Sequence, residues 1–567
     1  MNMKPHILTL SLAAGLLLTA CTKKAQLTAD NFTVTPQLLE ESAGLVPVVI
    51  NGRIPEKFMD RKSTLTITPV LRYEGGEARG EAMAFQGEKI RGNAQEISYR
   101  LGGSYTQRTV YDFVPAMMQS RLYMSVVQQR GKKTTVLPEI YVAPGVLATS
   151  TLASRTVAGA RPVLSTDNYQ YAIAQQQEAQ ILYLLAKADV RQSEVQGTSV
   201  QQFLQTLSRI KAEETGYAID GITISAYASP DGKLDFNRQL AERRQGTSEQ
   251  FLRSQLDSLG LNATISTNYT AEDWEGFQRL VAASNLEDKD VILRVLSMYE
   301  DPEERERQVR NISAAYGELA DTILPALRRA RMIINYNIIG RSDDEITAQF
   351  AADPKQLSVE ELIYGATLTD DATLQQRIYQ AAATQYPSDY RAFNNLAALA
   401  YQRGDYSAAQ TYLSRARALK ADDAAVNLNS ALTALAQGQA DEAEAYLAKA
   451  TASKGYSETL GNLQITQGKF RQAAQSLGQT KSNSAALAQI LSHDYTGAAA
   501  SLAGVAKPDA TTSYLRAIVA ARTNQHSAAV TALREAIAAD PTLRTRAATD
   551  LEFLNLFNDA SFQSLVK

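Results

Sequence analysis

The residues best placed to do chemistry lie between Ile224 and Arg244, in the run ISAYASPDGKLDFNRQLAERR. An apolar strand pattern ends at Tyr227, Pro230-Asp231-Gly232 makes a turn, and a charged helical pattern follows. Asn237, Leu240 and Arg244 come five, eight and twelve residues after Gly232. A guanidinium binds a carboxylate through a bidentate fork and the free amides of a helix start add to it, so Arg244 in this setting is suited to holding an anion. The same turn also has a plain structural reading, in which Pro fixes one dihedral and Gly supplies a positive one.

Other chemistry is thin. The chain has 3 histidines and 1 cysteine. His6 falls in the leader described below, and His493 and His526 fall in repeat turns, so neither a Ser-His-Asp arrangement nor a His/Cys metal cluster can be assembled convincingly. There is no P-loop, no G-x-G-x-x-G after a strand and no H-E-x-x-H. The carboxylate pairs Asp343-Asp344 and Asp422-Asp423 are adjacent in sequence, which suits loops and helix starts rather than a shared catalytic task. No catalytic residue, metal or cofactor is expected, and the chain reads as a non-enzyme.

The elements that must position Arg244 carry a resemblance. Gly232, Asn237, Leu240 and Arg244 match the spacing of the peptidoglycan-binding motif of OmpA-like domains, T-D-x-x-G-x-x-x-x-N-x-x-L-S-x-x-R-A, with Ser229 where that family has Asp. The resemblance implies an α/β domain in which Ser229, Asp231, Asn237 and Arg244 are the candidate peptidoglycan-binding residues, Asp231 lying two residues late for the family position. Arg328-Arg329-Ala330, leading into a strand at Met332 to Ile339, resembles the R-R-V step of the same family. Two arginines at the end of a helix are also electrostatically ordinary. Together with Glu272 to Phe277 around the only tryptophan, Trp274, the ASPDG turn resembles the variant found in lipoproteins of Bacteroidota, whose members often continue into helical repeats. Trp274 is expected to be a packing anchor rather than a glycan platform.

A length of 567 residues exceeds one core and predicts several domains. A hydrophobic content of 45% and a charged content of 21% describe a folded body, and 57 basic against 60 acidic residues, a net charge of −3, give no reason to expect nucleic acid as a partner. At the N-terminus Lys4, the apolar run Ile7 to Leu18, and Thr19-Ala20 ahead of Cys21 read as a signal peptide. Leu18-Thr19-Ala20-Cys21 resembles a lipobox, which implies cleavage before Cys21, acylation of that residue and palmitate among its lipids. Thr22-Lys23-Lys24 lacks the acidic residues that accompany surface export in similar lipoproteins, so the outer membrane's periplasmic face is the expected location.

Residues from about 32 to 153 alternate in the strand manner. Leu65, Ile67 and Leu71 are set against Thr64, Thr66, Thr68 and Val70, and Leu122, Met124 and Val126 repeat the pattern, with Arg130-Gly131-Lys132-Lys133 as a hairpin tip. A β-sandwich is expected. Toward the C-terminus, Gly404 and Gly438, Ala409 and Ala443, Leu413 and Leu447, and Ala416 and Ala450 are all 34 residues apart. That period resembles the tetratricopeptide repeat, with looser copies at Gly468, Ala473 and Leu477, at Ala498 and Leu502, and at Ala529, Leu533, Ala536 and Pro541. Five units are expected from about 389 to 541, followed by a cap through Phe553, Leu556 and Phe562.

The predicted organisation is therefore a signal peptide at 1–20, a tether at 21–31, a β-sandwich at 32–165, an OmpA-like α/β domain at 166–345 and an all-α tetratricopeptide-type solenoid with a cap at 346–567. The expected function is a lipid-anchored scaffold or adaptor in a cell-envelope complex for assembly, secretion or envelope organisation, whose repeat groove holds an envelope protein. A peptidoglycan anchor and a surface-exposed glycan-binding lipoprotein are the alternatives.

Overall fold

The computed structural model describes residues 25–567, apart from the side chains of residues 313–315. The predicted signal peptide and Cys21 lie outside the described residues. Contacts divide the chain into two compact units: the residues up to Thr166 together with Asp371–Lys567, and the intervening Asp167–Asp370.

In the first unit the N-terminal region is built from strands because polar and apolar residues alternate along it. Leu45–Ile54 pairs with Phe32–Thr35 on one side and Gly103–Asp112 on the other, all antiparallel. A second sheet is centred on Thr64–Tyr73 and Arg121–Arg130. Val46, Val48 and Ile50 from the first sheet and Leu65, Ile67, Leu122, Met124 and Val126 from the second share one core. The hairpin tip forms where charge placed it, with Lys133 opposite Arg130 and Gly131 at φ 57°.

The C-terminal part of this unit is helical. After Ala372–Gln385 come five antiparallel pairs: Tyr390–Gln402 with Tyr406–Leu419, Ala424–Ala436 with Ala440–Leu447, Tyr456–Thr466 with Phe470–Leu477, Asn483–Leu491 with Tyr495–Ala503, and Ala510–Arg522 with His526–Ala539. Small residues at the crossings let the helices approach, and Ala409, Ala416, Ala443, Ala473 and Ala498 are fully buried. The turns inside the first three pairs use Gly404, Gly438 and Gly468 at φ 76°, 78° and 71°. His493 and Asn524 adopt the same left-handed conformation in the fourth and fifth. Asp389, Asp405, Asp423, Asp494 and Asp509 accept hydrogen bonds from the first turns of the helices they precede. Phe553, Leu556 and Phe562 close the C-terminal end.

The second unit is a four-stranded sheet in the order Ala172–Leu182, Arg329–Ile339, Tyr217–Tyr227, Ile265–Thr270, with only the last pairing parallel. Thr198–Ala212 and Leu234–Leu259 supply Phe203, Leu207, Leu252 and Leu256 to a core with Ile222, Ile224, Met332 and Ile334. The helices between Trp274 and Leu327 have a core of their own around Phe277, Ile292 and Leu319, and Trp274 packs edge-on to Phe277 at 5.6 Å between ring centres.

The expected border at 345 shifts. Asp343–Ala352 and Val359–Gly365 pack in the second unit rather than opening the solenoid, with Arg341 paired to Glu361 at 2.7 Å and Tyr169 stacked on Tyr364 at 4.7 Å. Both helices are helical in pattern, so periodicity alone could not say which core they join.

Candidate functional site

The concave face of the repeats is where a tetratricopeptide array ordinarily meets another chain. Here it holds a strap from the same chain. The strap begins where Val146–Leu147 pairs parallel with Leu39–Glu40 and continues through a short helix, Ala153–Ala158, into an extended run to Thr166. The β-sandwich expected at 32–165 includes this segment.

Leu152 and Ala153 enter the core of the C-terminal repeats with Ile465, Leu487 and Ile518. Val157 joins Leu428, Ala431 and Leu463, and Ala160 joins Ala397, Ala400 and Tyr401. Leu152 and Val157 are 0% and 1% exposed. Burial of such side chains is worth about 1.5–3 kcal/mol each.

Polar contacts run the length of the strap. At one end Thr149 donates to Glu552, and Arg546 donates to the carbonyl of Ala148 at 2.9 Å. Arg155 reaches Asp540 and the Thr511 hydroxyl. Thr156 donates to Asn462 Oδ1 at 2.9 Å, and Tyr401 donates to the carbonyl of Val157. Toward the other end asparagines read the main chain. Val163 N–H donates to Asn429 Oδ1 at 2.8 Å, and its carbonyl accepts from Asn429 Nδ2 at 2.7 Å and Asn394 Nδ2 at 3.0 Å. Ser165 N–H donates to Asn395 Oδ1 at 2.7 Å and its carbonyl accepts from Asn395 Nδ2 at 3.1 Å. From Thr149 to Ser165 the strap thus runs opposite to the repeat order.

An asparagine side chain offers one donor group and one acceptor, which matches an extended peptide's alternating amide and carbonyl. Asn395 and Asn429 are 34 residues apart and Asn462 follows 33 later, all on the first helix of a pair. The same spacing is visible in the sequence. The groove expected to hold an envelope protein is lined from Thr149 to Ser165 by this strap.

In the second unit the four candidate motif residues do come together, but facing inward. Ser229 donates to Asp231 Oδ1 at 2.7 Å, and Asn237 Nδ2 donates to the carbonyls of Ser229 and Gly232 at 3.2 and 2.9 Å. Arg244 is 0% exposed. Its guanidinium donates to the carbonyls of Lys187, Tyr227 and Leu184 at 3.0, 2.8 and 3.2 Å and lies 5.1 Å over the Tyr183 ring. Burial pushes Arg244 down to about 10, which leaves it charged at neutral pH. Asp231 pairs instead with Arg328 at 3.0 Å, and Arg329 pairs with buried Asp273 at 2.7 Å. The Arg328-Arg329 step is therefore used to neutralise carboxylates of the chain itself. Burial raises Glu272 above the usual carboxylate range, although it accepts from Trp274 Nε1 at 2.9 Å.

Among the described residues no group of three or more His, Cys, Asp or Glu side chains could hold a metal ion, and no helix is long and apolar enough to cross a membrane. An opening of about 470 Å³ beside the strap is lined by groups of both signs, including Glu40, Glu41, Lys469, Arg471 and Arg522.

A family described as tetratricopeptide repeat matches residues 400–455, so the C-terminal region contains that repeat. No curated protein matches the chain. Solved structures similar to it include a tetratricopeptide repeat protein from Parabacteroides merdae, 12% identical, over 40% of this chain and 89% of that one, with a TM-score of 0.30. Pseudomonas aeruginosa PilF is 18% identical over 38% of this chain and 98% of its own, with a TM-score of 0.26. Yeast Tom70 is 11% identical over 66% and 93%, also at 0.26. These likenesses are distant.

Proposed function

We propose that this protein is a non-enzymatic scaffold, lipid-anchored through Cys21 on the periplasmic face of the outer membrane, that organises a cell-envelope protein complex. The supporting observation is the strap: residues that follow the β-rich region in sequence, Leu152, Ala153, Val157 and Ala160, enter the cores of the repeat pairs, which ties that region to the repeats in place of a free linker. A tie of this kind serves to hold partners at fixed spacing. Because the concave face is taken, partners meet the outer helices or the sheets. The Leu18-Thr19-Ala20-Cys21 sequence supports the anchor.

The central unit, on this reading, is an OmpA-like domain kept as an interaction module. Wall binding has the Gly232, Asn237, Leu240, Arg244 spacing behind it, while the burial of Arg244 against three carbonyls counts against it.

Crosslinking in intact envelopes, followed by mass spectrometry, tests the scaffold. Reproducible crosslinks from outer repeat helices such as Tyr406–Leu419 to other envelope proteins are expected. Crosslinks confined to the chain itself would overturn the reading. Loss of palmitate labelling in Cys21→Ser is expected for the anchor, and labelling that persists would refute it.

A further inference from the structure

The strand Ala172–Leu182 forms one edge of the central sheet, paired on its inner side with Arg329–Ile339 in unbroken register. The flanking bonds set which groups face outward. Gly340 N–H donates to the carbonyl of Tyr171 and Tyr183 N–H to that of Arg328, so odd-numbered residues bond to the neighbouring strand. Even-numbered residues turn their amides and carbonyls away from the sheet. At the far end these are covered: Gln180 N–H meets the Ser199 hydroxyl at 3.5 Å, and Leu182 N–H donates to Glu194 at 3.1 Å. At Ala172, Ala174 and Gln176 the outward amides and carbonyls have no partner among the described residues, and the residues from Ala172 to Gln176 are exposed.

Edges of this kind are normally guarded by a charge, a proline or a bulge. The run Ala172-Ile173-Ala174-Gln175-Gln176-Gln177 has none of these. The first charged residue, Glu178, is neutralised by Arg331 through two bonds of 2.8 and 2.7 Å. The run is also self-complementary. An antiparallel copy related by a two-fold axis at Ala174 sets Ala172 opposite Gln176 and Ile173 opposite Gln175, with outward groups meeting outward groups and no like charges facing.

We propose that this edge pairs with the same edge of a second copy of the chain, joining two four-stranded sheets into one of eight. The proposal is independent of the strap and of the anchor. It makes the scaffold two-fold symmetric, which doubles each partner site it offers.

Sedimentation equilibrium of the full mature chain, without its lipid, tests this directly. A concentration-dependent monomer–dimer equilibrium is expected for the native protein. Ala174→Pro removes an outward N–H that the neighbouring strand does not use, and Ala174→Lys sets like charges face to face across the axis. Each is expected to weaken dimerisation at least tenfold while leaving unchanged the melting temperature measured at concentrations where the native chain is monomeric. Gln175→Pro, which strikes an inward amide, serves as the control that lowers melting. A native chain that stays monomeric to its solubility limit, or a dimer unaffected by both Ala174 variants, overturns the proposal. So does protection of the edge amides by a different protein in envelope extracts while the purified chain stays monomeric, since that gives the edge to another occupant.

Discussion

Val163 and Asn429, 266 residues apart in sequence, bind each other through both main-chain polar groups of the valine and both ends of the asparagine amide, at 2.8 and 2.7 Å. This is the pairing one strand makes with another, supplied by a side chain. Because it reads main chain, it fixes the strap's register, and the Val163 side chain adds packing against the core around Leu428 and Leu463.

Asn429→Ala should therefore cost more than a surface substitution. It leaves the Val163 amide without its acceptor and the carbonyl with Asn394 alone, a loss of about 1–3 kcal/mol. Urea unfolding of the variant beside the native chain measures it. Equal midpoints would mean the strap contributes nothing to stability.

Leu152→Ala is expected to destabilise by about 2–5 kcal/mol through the cavity it opens. Leu164, 41% exposed on the same strap, provides the contrast, with an expected change within about 0.5 kcal/mol. Thermal melting of the two variants compares burial at two sites of one residue type, and equal shifts would contradict the packing described.

Arg244→Ala should lower stability by about 3 kcal/mol or more, because three carbonyls lose their donor. Arg244→Lys is expected to rescue only part of this, since an ammonium cannot span the three positions as a planar guanidinium does. If the alanine variant melts like the native chain yet no longer sediments with cell-wall sacculi, Arg244 is a ligand grip rather than a strut.

Asp540 gives the strap a dependence on acid. Its carboxyl is held down at about 2 by the Thr542 hydroxyl, then by the Arg155 guanidinium. A folded-state value below the unfolded one means the contact favours folding above the ordinary carboxylate range, and that contribution disappears as pH falls toward about 2. Asp540→Asn should flatten the fall in melting temperature between about pH 4 and about pH 2 relative to the native chain. An unchanged slope would exclude this contact as the source.

Local pattern carried much of this architecture into the sequence. Leu122, Met124 and Val126 alternate because one sheet face is buried, and the 34-residue offset of Ala409 and Ala443 survives because the helix crossing admits only a small side chain. Partnerships across long separations were not legible. Ser229 in the family's Asp position was visible, but that Asp231 would pair with Arg328, 97 residues away, was not. The strap is illegible in the sequence for the same reason: its helix has 6 residues, too few for a periodic signal, and its binding partners lie hundreds of residues later. Asn395, Asn429 and Asn462 carried a repeat signal that glycine, alanine and leucine had overshadowed.

Hydrogen exchange at the amides of Val163 and Ser165 in the native full chain tests most directly whether the repeat groove is filled by the strap. The amides donate to Asn429 and Asn395, so both should be protected and should exchange only when the repeats open. Exchange at the rate of an unstructured peptide, with the repeats still folded, would mean that the groove is open and that the strap does not occupy it.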